Sequence, residues 1–379
     1  MMRFNVISER TFESWSWRNP NTVGIGGSET SHIEMAQRLA ARGHEVKSYA
    51  PVDFDGMQEN QGVLWRKIED CDYSEPCDVW VIYRAPNLLD KLPEGAIGWL
   101  ICQDVDYKHK ERGLNNARFE KLTRLVALCG EQARHLRDNS PGQFIKKVCQ
   151  SSNGVKAELI EEIERENLPR NPKRLMYASS PDRGMEFLLD IFPRAKEIVP
   201  DLELHLYYGF DNIEKIIARP GYEKSWIAHN AERLKAFTDQ EGVINHGRTA
   251  QPELIRHWFQ SGIWCHPSNF TETSCITCMD AQACGAIPIT NPVWAVKENV
   301  RHGVFIEGDV RSDLIRSRYV LEVVRVALDD ARQACIRREM MGWARHAFTW
   351  ENFVTQWENW AKVDLERKAA PVAELESVA

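Results

Sequence analysis

No run in this sequence approaches the roughly 18 apolar residues needed to cross a bilayer. The start, MMRFNVISERTF, lacks a cationic segment followed by an apolar one, so no secretory signal is expected. Positive charge is not in excess: 48 Lys and Arg stand against 55 Asp and Glu, for a net charge of -7 and a pI of about 5.9. The chain as a whole therefore has no electrostatic drive toward nucleic acid or an anionic membrane. Internal repeats and low-complexity tracts are missing, as is the phosphate-loop pattern G-x-x-x-x-G-K-[ST], which excludes that class of ATPase. Ten cysteines are present, but not in the paired knuckles that zinc requires. Cys275 and Cys278 form one C-x-x-C, with Cys265 and Cys284 nearby, and are expected to pack as small buried thiols in a reducing compartment. These absences predict a soluble, cytoplasmic protein.

What is present is a long α/β alternation. At 379 residues, with 43% apolar residues and 13 Trp, the chain has material for two cores. Phe4–Ser8 reads as a strand, followed by the glycine-rich loop Gly24-Ile25-Gly26-Gly27-Ser28-Glu29. A helical pattern then runs to Ala41, closed by Gly43, and His44 to Tyr49 resumes as a strand. This β–loop–α–β unit opens a Rossmann-like domain. Further strands are expected at 79–83, 98–102 and 124–128, and a second set at 175–177, 202–207, 243–246, 263–265 and 287–290. The polar stretch 158–173, with Pro169 and Pro172, reads as a linker, and the Trp-rich segment from 349 as a final helix with a frayed tail after Arg367. The expected domains are 1–165, 166–348 and a C-terminal helix at 349–379.

The most informative stretch is 269–288, NFTETSCITCMDAQACGAIP. Glu272 and Asp280 are eight positions apart, a little over two helical turns, so the two acids are able to share one helix face about 12 Å apart. The polar turn Thr273-Ser274-Cys275 follows the first acid and opens a small-residue helix that ends at Cys284-Gly285. First-turn N–H groups beside an acid suit a long ligand with hydroxyls at its ends and phosphate in the middle. The competing structural reading is an amphipathic helix with a solvated acid at each end.

The stretch resembles the donor-site motif of family 4 retaining glycosyltransferases, E-x7-E, with Asp in the second position and the run AQACGAIPIT behind it. Asn153-Gly154-Val155, Ser179-Ser180-Pro181-Asp182-Arg183-Gly184 and Tyr208-Gly209 follow the same family order. The resemblance covers most of the chain. It implies a GT-B fold: two Rossmann-like parallel-sheet domains facing a cleft, with the last helix crossing back to the first domain. It further implies a retaining, metal-independent transferase using a nucleoside-diphosphate sugar, with no cofactor or resident metal. Glu272 would face the donor sugar and Asp280 the ribose hydroxyls, while the backbone of Ser274 and Cys275 and the loop at Gly26 and Gly27 would serve the diphosphate. Arg183 stands where the family places a Lys beside Gly, Glu298 where it places a Glu beside the donor, and Asp104 beside the acceptor. Two expected family residues are missing: Ala178 replaces an Arg, and Gln103 replaces a His.

The acceptor expected on this basis is a glycan, a lipid-linked saccharide reached by peripheral membrane contact, or a small metabolite. A hydroxymethylated base of DNA is a further alternative. The segment 107–147 carries ten Lys and Arg against four acids, which suits an anionic acceptor or simply a solvated basic helix. A dinucleotide oxidoreductase is disfavoured because G-x-G-G-S-E is not G-x-G-x-x-G. A sugar-nucleotide-binding scaffold without catalysis is the alternative of a different class.

Overall fold

The computed structural model describes residues 1–9, 13–218 and 226–370. The chain divides into two compact units, one of residues 1–18, 26–153 and 350–379, the other of 19–25 and 154–349. Residues 371–379, most of the expected frayed tail, lie outside the described residues.

In chain order the first part runs β1 (Arg3–Ser8), α1 (Asn19–Thr22, which belongs to the second unit), α2 (Gly27–Ala41), β2 (Glu45–Ala50), β3 (Gln58–Asn60), β4 (Val63–Lys67), β5 (Val79–Tyr83) and β6 (Gly98–Ile101). It continues with α3 (Asn116–Lys121), β7 (Arg124–Ala127), α4 (Gly130–Asp138) and β8 (Val148–Gln150). The sheet order is β3-β4-β2-β1-β5-β6-β7-β8, parallel except for the β3–β4 pair. Strands β1, β5 and β6 are almost wholly buried, as expected for a parallel sheet covered on both faces.

The second unit contains α5 (Ala157–Glu164), β9 (Asn171–Tyr177), α6 (Met185–Ile198), β10 (Glu203–Leu206), α7 (Asp211–Ile217), α8 (Trp226–Phe237), β11 (Val243–Asn245), α9 (Gln251–Gln260) and β12 (Ser261–His266). Then follow α10 (Ile276–Cys284), β13 (Ile287–Thr290), α11 (Ala295–Asn299), β14 (Val304–Phe305), α12 (Asp313–Ala327) and α13 (Asp330–Ala347). Its sheet is parallel, in the order β11-β10-β9-β12-β13-β14. Period-2 alternation divides the strand side chains between two cores. Leu175, Tyr177, Ile263 and Cys265 face one core, while Met176 and Trp264 face the other. The polar stretch 158–173, expected as a linker, is instead α5 and the beginning of β9. Ile160 and Ile163 are buried there, so its charges form the outer face of an amphipathic helix.

The last helix, α14 (Trp350–Ala369), packs on the first unit. Its Asp364 accepts hydrogen bonds from Arg124 Nε and Nη2, both at 2.7 Å, and from the Trp99 indole at 2.9 Å. Trp357 donates to Ser151 Oγ at 3.1 Å. Among the described residues, no helix is long and apolar enough to cross a membrane.

Each unit also buries a histidine. His32, on α2, is enclosed by Trp15, Trp65 and Tyr83, with Nε2 2.7 Å from Ser48 Oγ. His266, at the end of β12, lies between the rings of Tyr177 and Trp264. Burial lowers both pKa values to about 3, with Arg183 adding to the effect at His266. Because the unfolded imidazole titrates near 6.5, the unfolded chain takes up these protons first. The stability each contributes is complete above about pH 6.5 and declines by about 1.4 kcal/mol per pH unit as the pH falls from there toward 3. Urea unfolding between pH 7 and 5 is therefore expected to show stability falling with pH in both units. A flat profile over that range would contradict the neutral burial of these rings.

Candidate functional site

The second sheet reverses its strand order between β9 and β12, and the crevice beyond such a switch point is where open α/β sheets bind ligands. The segments leaving these two strands bring Arg183 and Glu272 together, with Nη1 of Arg183 3.7 Å from Oε1 of Glu272. Arg183 follows β9 in a short 3-10 turn (Pro181–Arg183). Its guanidinium carbon lies 3.2 Å from the centre of the Phe270 ring, and its Nε is 3.5 Å from Asp182. Gly184 next to it has φ +112, and a Cβ there would lie 2.0 Å from the Pro267 carbonyl oxygen. Only glycine lets the two segments approach this closely.

The backbone around Glu272 is pinned from both sides. Its N–H donates to the Phe270 carbonyl at 3.0 Å, and its carbonyl accepts from Ala295 N at 3.1 Å. Asn291 anchors the preceding loop: its Oδ1 accepts from Ser268 N and the Tyr319 hydroxyl, and its Nδ2 donates to the carbonyls of Ile306 and Gly308. Burial pushes the Glu272 carboxyl above the usual range, with Arg183 opposing the shift and Asp182 adding to it.

The expectation that Glu272 and Asp280 share one helix face is corrected here. Helix α10 begins at Ile276, so Glu272 lies in the loop before it and only Asp280 is helical. Asp280 is 2% exposed, in the middle of α10. Cys275 is the N-cap and makes no side-chain capping bond, so the end of α10 beside Ser274 and Cys275 carries the positive pole of the helix dipole. Thr277 Oγ1 lies 3.3 Å from both Ser179 Oγ and Cys275 Sγ, tying α10 to the segment after β9. Glu298 is exposed on α11. Cys275, Cys278 and Cys284 are buried thiols.

Gly26, Gly27 and Asp104 belong to the first unit. Gly26 is the N-cap of α2 and Gly27 its first residue, neither with a positive φ. The loop position that requires glycine is Gly24, at φ +73, where a Cβ would lie 2.4 Å from the Thr249 carbonyl oxygen within the second unit. Asp104 follows β6, and both its oxygens are held by Arg84, at 3.0 and 2.8 Å. It is an ion-paired strand-end carboxylate, with lone pairs left to accept a hydroxyl.

Sequence reasoning missed Arg84, Phe270 and His266. Arg84, Tyr208 and Trp294 have φ of +61, +91 and +46; Arg84 directly follows β5, Tyr208 lies two residues after β10, and Trp294 is the N-cap of α11. Strain at non-glycine residues gathers at functional sites, but only coordinates reveal it. In the basic segment, Arg118 is bound by Asp90, Arg124 by Asp364, and Lys147 by the carbonyls of Phe119, Glu120 and Leu122. These three cations are engaged within the fold, so neither an anion-binding segment nor a simply solvated basic helix describes them.

No sequence-family profile matches the chain, and no curated protein matches it. Solved structures do. A sucrose-phosphate synthase from Thermosynechococcus elongatus matches with 13% identity over 95% of this chain and 98% of that one, with a TM-score of 0.69. HepE from Anabaena, solved in complex with UDP and glucose, matches with 12% identity over 95% and 100%, with a TM-score of 0.64. A glycosyltransferase from Rickettsia africae matches with 14% identity over 96% and 99%, also at 0.64. The fold is GT-B. Within the GT-B fold, the Arg183–Glu272 pair occupies the switch point of the second sheet, and α14 is the C-terminal helix that packs back on the first unit.

Proposed function

We propose that this chain is a retaining glycosyltransferase that moves a sugar from a nucleoside-diphosphate donor to a hydroxyl acceptor without a metal. The observation that carries the proposal is the Arg183–Glu272 pair at the switch point, with Glu272 in the loop that leads into α10, whose middle holds the buried Asp280. HepE, of the same fold, was solved with UDP and glucose.

In this reaction the backbone N–H groups of Ser274 and Cys275, just before α10, and the Arg183 guanidinium receive the diphosphate. As the bond from the anomeric carbon to the leaving phosphate oxygen breaks, negative charge grows on the diphosphate and Arg183 neutralises it. The leaving phosphate oxygen takes the proton of the acceptor hydroxyl, which attacks on the same face, so the configuration is kept. Glu272 faces the donor sugar and Asp280 the ribose hydroxyls. Being one methylene shorter than Glu, Asp280 reaches them less far. Gly26 and Gly27 at the start of α2 serve the diphosphate and acceptor, Asp104 orients the acceptor hydroxyl, and Glu298 contributes at the donor. The acceptor classes are a glycan, a lipid-linked saccharide or a small metabolite. DNA is less favoured because Arg118, Arg124 and Lys147 are engaged within the fold.

Calorimetry with UDP, GDP, ADP and CDP in the absence of metal tests the donor site. One nucleotide is expected to bind at micromolar affinity, and Asp280→Ala is expected to abolish that binding while leaving the unfolding transition of the second unit in place. If no nucleotide binds, or if Asp280→Ala binds as well as the parent, the donor assignment fails.

A further inference from the structure

A second cluster of chemistry-bearing side chains lies in the same unit, under α9. His205 is on β10, His246 directly after β11 and His257 on α9. One ring nitrogen of each lies within 4.8 Å of those of the other two. His205 Nδ1 and His246 Nε2 are 2.9 Å apart. Two nitrogens bound tetrahedrally to one zinc at 2.0–2.1 Å are about 3.3 Å apart. The pair thus already has nearly the spacing of two ligands, and His257 completes the set when its ring nitrogen exchanges its present hydrogen bond for the metal.

The surroundings favour ligation. His205 Nε2 lies 3.4 Å from Glu203 Oε2, and His257 Nε2 lies 3.8 Å from Glu253 Oε1. At His205 the carboxylate behind the imidazole holds the outer nitrogen protonated and turns the other lone pair toward His246, which is how metal-binding histidines are oriented, while Glu253 is only a nearby charge to His257. The Tyr207 ring lies parallel to His246 with centroids 4.5 Å apart and holds that ring by packing, and the Tyr207 hydroxyl occupies His257 Nδ1 until a metal competes for it. Arg174 also faces the cluster and opposes a cation, but its Nε is 3.5 Å from Glu203, whose carboxylate offsets it.

We propose that His205, His246 and His257 form a binding site for a divalent transition-metal ion of the zinc type, clamping β10, the segment after β11 and α9 together. Three imidazoles suit zinc, copper or nickel and are poor ligands for magnesium or calcium. The three histidines share no residue with the Arg183–Glu272 pair.

The test uses the metal-stripped full chain titrated with cobalt(II) and zinc(II). One equivalent of cobalt is expected to give the visible absorption of a tetrahedral site, displaced by zinc, and zinc is expected to raise Tm while magnesium does not. His257→Ala is expected to lose the cobalt spectrum, and Glu203→Gln to weaken zinc binding about 10- to 100-fold. If the histidine variants fail to fold, labelling of the unmodified protein with diethyl pyrocarbonate decides. Zinc is expected to protect His205, His246 and His257 and to leave the exposed His109 reactive. Absence of a one-to-one cobalt complex, binding that survives His257→Ala, or zinc that leaves the three histidines labelled would overturn the proposal.

Discussion

Arg183→Ala is expected to lower kcat for sugar transfer by about 10²- to 10³-fold, the range found when one donor to a developing anion is removed. The guanidinium is held by stacking on Phe270 and by Glu272 and Asp182, so it is in position before a donor binds. Charge on the leaving diphosphate grows along the reaction coordinate, so the loss should appear mainly in kcat and less in KM. Arg183→Lys should recover part of the rate, because it restores the charge but not the planar fork that stacks on Phe270. Release of nucleoside diphosphate, measured with the donor that calorimetry selects, reads both numbers. A kcat unchanged in Arg183→Ala would remove this residue from the reaction.

The second large effect is on stability. Asp364→Ala should destabilise the first unit by about 3–5 kcal/mol, because it leaves the Arg124 charge without its buried partner. The carboxylate is 2% exposed and also accepts from the Trp99 indole, so truncation orphans a buried N–H as well. The loss should appear as a shift in the unfolding transition of the first unit, followed by Trp fluorescence in denaturant, with the second unit's transition unmoved. A shift below about 1 kcal/mol would mean that the ion pair is solvated and that α14 is held by other contacts.

Much of the fold was legible because its signals are local. The apolar runs at Val79–Tyr83 and Ile287–Thr290 became fully buried parallel strands, and Gly43 closed α2 at φ +84. Strands β3, β4, β8 and β14, with two to five residues each, escaped. So short a run carries too few alternations to stand out, and such strands are recruited by a neighbour already in place. The stretch 158–173 misled because its prolines and charges mimic a linker, while Ile160 and Ile163 are buried in the core and Leu159 and Leu168 pack against it.

The site divides in the same way. The segment Asn269–Pro288 announced itself because loop, helix and strand are contiguous in the chain, and a local pattern of glycine, small residues and acids is set by backbone demands that act over a few residues. The meeting of Arg183 with Glu272, 89 positions away, follows from parallel pairing of β9 with β12 across the switch point. The grip of Arg84 on Asp104 depends in the same way on β5 lying beside β6. The three histidines have no motif spacing at all. They converge because β11 pairs with β10, bringing His246 to His205, and Tyr207 after β10 bonds His257 on α9. The sequence by itself determined the alternation of elements, their burial and the residue types offered at each strand end. Which of those ends became neighbours was decided by strand order, because sheet pairing acts between segments that no local pattern connects.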